Sequence, residues 1–196
     1  MKKLSVIASA LALSFSSQVF AESNTPVVWD FAEVGYKKVK VDDLTLDGYA
    51  VNVSKLITEN VFVFTSFSRT QDDVNVGLAS DLEVELDQLN FGLGFRNEVN
   101  ATTDFFATVS YEVADISIAD EGVDDDGFAV DFGLRSMFGE NLELGASFGL
   151  LQLGDESDYV AGLSANYQIT EQFSATLGFD YMDDVKQYAV SARYSF

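Results

Sequence analysis

Gly145-Ala146-Ser147-Phe148-Gly149 has the spacing of a G-x-S-x-G nucleophile elbow. That motif works when a sharp strand-to-helix turn lifts the serine and a nearby base takes its proton. The chain has no His, and these five residues sit inside an alternating run. Gly145, Ser147 and Gly149 therefore read as small side chains on one face of a strand. Glu112 and Asp131 are the remaining candidates for acid–base work, since neighbouring carboxylates can divide the roles of acid and base. Arg96, Arg135 and Arg193 are at hand as partners for such acids, and charge pairing is the better account of them. The chain is expected not to be an enzyme, and a lipid-modifying activity built on Glu112 and Asp131 ranks last among the readings.

Asp120-Glu121-Gly122-Val123-Asp124-Asp125-Asp126-Gly127 invites a calcium reading. Set against D-x-[DN]-x-[DN]-G-x5-E, it puts Gly122 at the first ligand position and Gly133 at the last, so it is not an EF-hand. Weak Ca2+ or Mg2+ binding at Asp120, Glu121, Asp124, Asp125 and Asp126 is the only cofactor chemistry left, with a solvated acidic loop as the simpler alternative. No specific metal or cofactor is expected.

Composition excludes much else. The 196 residues carry 11 Lys+Arg against 32 Asp+Glu, a net charge of −21, with no Cys. Zinc fingers, haem, iron–sulfur clusters and thiol catalysis need ligands that are missing. Nucleic-acid binding needs a basic surface, which a polyanion lacks. Yet 47% of residues are hydrophobic and 13% aromatic, so the chain should fold.

Two elements frame the candidates. Residues 1–21 read as a secretory signal: Lys2 and Lys3, then an apolar run from Leu4 to Phe15, then Val19-Phe20-Ala21 as a cleavage site. Residues 22–196 form the second unit, and there period-2 alternation dominates. Phe173, Ala175, Leu177, Phe179 and Tyr181 alternate with Ser174, Thr176, Gly178 and Asp180. Similar runs predict strands at 88–96, 104–114, 128–135, 142–152, 159–168, 173–182 and 187–196. Strands at 28–38, 47–55 and 61–70 have blurred parity, and in Val61–Phe67 the two faces cannot be told apart. Ten strands are predicted, each near the ~9–11 residues that cross a bilayer when tilted. An eight-stranded barrel lacking the N-terminal part is the alternative.

Short connections alternate along the chain with longer, more acidic ones at 39–46, 71–85, 115–127, 153–158 and 183–186. That is the pattern of an antiparallel up-and-down barrel whose two ends face different environments. One face of the strands is Phe, Leu, Tyr and Val; the other is small and polar, with Glu33, Lys37, Arg96, Glu112, Asp131, Arg135, Glu143, Asp180 and Arg193. A lipid-facing exterior and a narrow lumen of mixed charge explain both. Hydrocarbon requires every backbone polar group to be paired, so the sheet must close. Trp29, Tyr36, Tyr49, Phe67, Phe95, Tyr111, Phe128, Phe138, Tyr159, Tyr167, Phe173, Tyr181 and Tyr194 are assigned to two interfacial girdles. The acidic connections form a negative rim whose near-only basic members are Lys40 and Lys186. Such a rim repels lipopolysaccharide phosphates unless divalent ions bridge them.

The signal, the ten-residue alternation and the ending Arg193-Tyr194-Ser195-Phe196 resemble the small bacterial outer-membrane β-barrel proteins, the OmpX/OmpA-barrel-like class. In that class the final aromatic residue, with another two before it, is read by the barrel-assembly machinery; Phe196 and Tyr194 occupy those places. Ala189 and Ser191 stand where a polar residue and Gly are usual. The expected setting is the Gram-negative outer membrane, with membrane lipid, lipopolysaccharide and the assembly machinery as partners; the oligomeric state is open, with a monomer expected. Its expected role is structural or interactive, through acidic outer loops around a largely side-chain-filled lumen. A small, weakly cation-selective channel is the alternative.

Overall fold

The computed structural model describes residues 27–75, 81–118 and 121–196. The predicted signal at 1–21 lies outside them. Ten strands follow one another: β1 Phe31–Val41, β2 Leu44–Leu56, β3 Val61–Asn75, β4 Asp81–Asn100, β5 Thr103–Ile118, β6 Glu121–Phe138, β7 Leu142–Leu153, β8 Glu156–Gln168, β9 Phe173–Met182 and β10 Val185–Ser195. Each pairs antiparallel with its sequence neighbour, and β1 closes on β10. The eight-strand alternative is thereby set aside. Following the register once round from Gly35 returns to β1 about 12 residues farther along. For ten strands that stagger implies a tilt of about 40°.

The acidic connections are not the loops the sequence suggested. β3, β4, β5 and β6 run 15, 20, 16 and 18 residues, well past the ~10 a bilayer needs, so segments 71–75, 81–85, 115–118 and 121–127 are paired strand. The polar residues there satisfy the strand ladder as well as apolar ones would, and composition alone hid this. Three other connections shrink to two residues: Asp42-Asp43, Gly154-Asp155 and Asp183-Asp184. Asp42, Gly154 and Asp183 have φ of 52°, 53° and 45°, the left-handed region that tight hairpins demand and that Gly, Asn and Asp tolerate best. Part of the rim's acidity is thus turn chemistry.

Outward side chains form an apolar band. Phe91, Phe95, Phe128, Phe132, Phe148, Leu163, Leu177 and Val190 are all exposed. On β8 the band is bounded by Tyr167 and Tyr159, 57% and 67% exposed. Those values suit a wall facing hydrocarbon and would be anomalous in water.

Inside, the lumen has three tiers. The end that holds residues 27–30 and Ser195, called inner, contains an aromatic cluster of Val27, Trp29, Leu56, Phe62, Phe64 and Phe106. The middle is polar. The outer end is packed with aliphatic side chains, among them Val39, Val41, Leu46, Leu86, Ile116, Leu151, Leu153, Met182 and Val185. This last tier departs from the expected small-and-polar lumen. Long β3–β6 carry the sheet beyond the lipid band, and a sheet that continues outward needs a filled interior, as any small barrel does.

Candidate functional site

Residues 27–30 precede β1 and enter the inner mouth of the barrel, where Trp29 is fully buried. Trp29, a girdle residue by sequence, lies in the lumen instead. It is a residue of the entering segment, so strand parity does not govern it. Its ring packs on Phe62 at 4.8 Å and Phe106 at 6.1 Å, and its indole N–H donates to Asp104 Oδ2 at 2.6 Å. Arg96 and Arg135 lie 5.6 Å and 5.0 Å from the ring centre, within cation–π range. The plug is also tied by its backbone, since Arg135 Nη1 donates to Val28 O at 2.9 Å.

The next link is Asp30. It pairs with Lys55, accepts from Leu56 N at 3.3 Å, and its carbonyl accepts from Phe196 N at 3.2 Å. Burial raises the Asp30 carboxyl above the usual carboxylate range, and the Lys55 ammonium partly offsets this.

β-strand parity places the rest. Val61–Phe67, unreadable in sequence, resolves with Phe62 and Phe64 inward. Small residues opposite make room for these rings. A Cβ on Gly92 would sit 2.6 Å from Phe64 Cζ, and one on Gly94 or Gly133 would overlap the rings of Phe62 or Phe106. Gly here is the complement of an inward Phe, not a catalytic signal.

The nine predicted lumen charges all point inward. Eight of them are buried, and Asp131 is half-buried. Eight of the nine fall into three groups, and Asp180 lies near Lys37 and Asp131 of the third. Arg135 is paired with Glu143, its Nε donating at 2.7 Å, while Arg96 bridges Glu98 at 2.9 Å and Asp104 at 3.3 Å. Glu33 accepts from Arg193 Nε at 2.7 Å, Thr176 Oγ1 at 2.8 Å and Asn52 Nδ2 at 3.2 Å. Higher up, Lys37 Nζ donates to Gln88 Oε1 at 2.7 Å and Ser68 Oγ at 3.0 Å, Ser110 donates to Glu112, and Thr108 donates to Asp131 at 3.3 Å. Glu112 and Asp131 are thus each held by a hydroxyl.

Sequence reasoning missed Asp104, Asn52, Asn166, Ser68 and Gln88. The even-numbered series Asp104, Phe106, Thr108, Ser110 and Glu112 was a usable signal, masked because Phe105 and Phe106 stand side by side. Ser147 lies on β7 with its Oγ near Gly162, as expected of a small lumen residue. In the acidic loop, Asp120 lies outside the described residues, and nothing is described of the Glu121 side chain. Asp126 accepts from Tyr111 Oη at 2.7 Å, and its carbonyl accepts from Gly154 N at 3.0 Å. Among the described residues no group of three or more acids is arranged to hold a metal.

The family model for the outer membrane protein beta-barrel domain matches residues 7–196. The chain belongs to that family. It is an outer-membrane β-barrel protein of the Gram-negative envelope. No curated protein matches it. Among solved barrels it is similar to the KdgM porin (11% identity, TM-score 0.50, covering 84% of this chain and 99% of that one). It is also similar to Ail, the attachment invasion locus protein of Yersinia pestis (17%, 0.40, 85% and 99%), and to OprG from Pseudomonas aeruginosa (13%, 0.46, 85% and 95%). These likenesses concern the fold.

In this outer-membrane barrel the last strand, β10, carries two aromatic rings at its end. Tyr194 points outward, 5.2 Å from the Phe173 ring and 6.3 Å from Phe196, which is itself exposed. Two described cavities reach the lumen wall, one lined by Glu33, Asn52 and Thr176, the other by Glu143, Asn166 and Ser174; each is about 10 Å³, the room of a single water.

Proposed function

We propose that this barrel is a structural and interaction protein of the outer membrane, with a shut lumen and an outer rim as its working surface. The observation that carries the reading is obstruction at both ends. Trp29, gripped by Arg96, Arg135 and Asp104, fills the inner mouth, and an aliphatic core fills the outer one. An ion would have to displace the plug and then cross a dry layer where it keeps no hydration.

A weakly cation-selective channel is the second reading. It is favoured by the middle tier, where Lys37, Glu112 and Asp180 are buried in the lumen and Asp131 is half-buried there. Planar-bilayer recording separates the two. The shut barrel gives no steady steps; cation-selective steps altered by Asp131→Asn would establish the channel. Lipid-modifying chemistry finds little support, because Glu112 and Asp131 face the lumen and lipid cannot reach them.

A further inference from the structure

Basic residues on the outside of the wall are few: Lys55, at the inner end, is paired with Asp30, and the others stand toward the outer end. Arg96, Arg135, Arg193 and Lys37 are inside the lumen. Arg69, on β3, is taken by Asp87 and Glu85. Lys38 and Lys40 on β1 and Lys186 on β10 remain at the outer end, on adjacent strands. Lys40 stands directly opposite Lys186. Like charges facing across a strand pair repel and destabilise it. Both are exposed, and among the described residues neither forms an ion pair; Lys38 is 3.7 Å from Asp47 and lies over the Tyr36 ring at 5.9 Å.

Their height decides what they meet. Exposed Tyr36, Tyr49, Tyr181 and Tyr188 form a girdle on β1, β2, β9 and β10, and such rings sit at the headgroup level. Lys38 and Lys40 follow Tyr36 by two and four residues. At ~3.3 Å per residue and a tilt near ~40° they stand roughly 5 and 10 Å above it. Their stems can lie along the wall while the ammonium groups reach the phosphate layer. Asp47, opposite Lys38 on β2, is ion-paired with it at 3.7 Å; the other nearby acids, Asp42, Asp43, Asp183 and Asp184, are at the turn tips, farther out. On the long strands the order is different: Asp87 faces Asp115, which faces Asp124, so that sector offers a phosphate nothing.

We infer that Lys38, Lys40 and Lys186 form a docking patch for the phosphate groups of an outer-leaflet glycolipid, namely lipopolysaccharide through its lipid A. The rim is then not uniformly repellent. One sector holds phosphorylated lipid directly while the rest stays acidic. A soluble polyanion fits less well, because the lysines lie on the side of the wall against the girdle and not on the turn tips.

The test is native mass spectrometry of the detergent-purified barrel with bisphosphorylated lipid A, against the same lipid stripped of phosphate. Wild type should retain the phosphorylated lipid at least tenfold more strongly. A Lys38→Gln/Lys40→Gln/Lys186→Gln variant should lose that preference, and the matching Lys→Arg variant should keep it. An unchanged preference in the Gln variant, or none in wild type, overturns the inference. The readout is independent of conductance, so it stands or falls separately from the shut lumen.

Discussion

The two ends of the lumen are closed by different chemistry. At the inner end, charge surrounds an aromatic ring: Arg96, Arg135, Asp104 and Glu143 are buried around Trp29, Phe62 and Phe106. At the outer end, aliphatic side chains pack as they would in a soluble core. The difference teaches that filling a barrel and specifying its filling are separate problems. An aliphatic layer holds whatever packs well. A charged layer is stable only while every member keeps its partner, since removing one leaves the other buried alone.

The largest expected effect follows from that asymmetry. Glu143→Ala strands Arg135 and should destabilise the barrel by about 3–5 kcal/mol, read as a lower urea midpoint in lipid vesicles. Leu86→Ala in the outer tier removes contact area without orphaning a charge and should cost about 2–4 kcal/mol, with no dependence on salt. Equal salt sensitivity in the two variants would erase the distinction between the ends. Gly94→Ala pushes a methyl into the Phe62 ring and should cost about 1–3 kcal/mol. Pairing it with Phe62→Leu should recover part of the loss.

The smallest effect lies at the rim. Burial, then the charges of Asp183 and Glu156, raise the Asp158 carboxyl above its usual range. A raised folded-state value means that the ionised form costs stability near neutral pH. Stability should therefore rise as pH falls through that raised value. Asp158→Asn should gain under ~1 kcal/mol at pH 7 and flatten this gain on acidification, measured by thermal gel shift across pH.

Much of the barrel was legible because lipid and lumen impose opposite chemistry on alternate residues. Phe173–Tyr181 needs nothing more than that rule. The rule failed where a residue is outside a strand, as Trp29 is, or where both faces are bulky, as at Val61–Phe67. It failed again along β3–β6, where acidic residues such as Asp87 and Asp115 belong to paired strand above the lipid. Which charges lie inside could be read from parity; which partner each takes depends on register between strands far apart in sequence, as with Glu33 and Arg193 or Trp29 and Asp104.

The central claim rests on one ring. Trp29 is the chain's 1 Trp, so its fluorescence reports the plug without labelling. In the folded barrel in lipid vesicles, the account predicts blue-shifted emission that acrylamide and iodide barely quench, changing to exposed, quenchable emission on unfolding. Red-shifted emission, freely quenched in the folded barrel, would contradict it: the inner mouth would then be open to water.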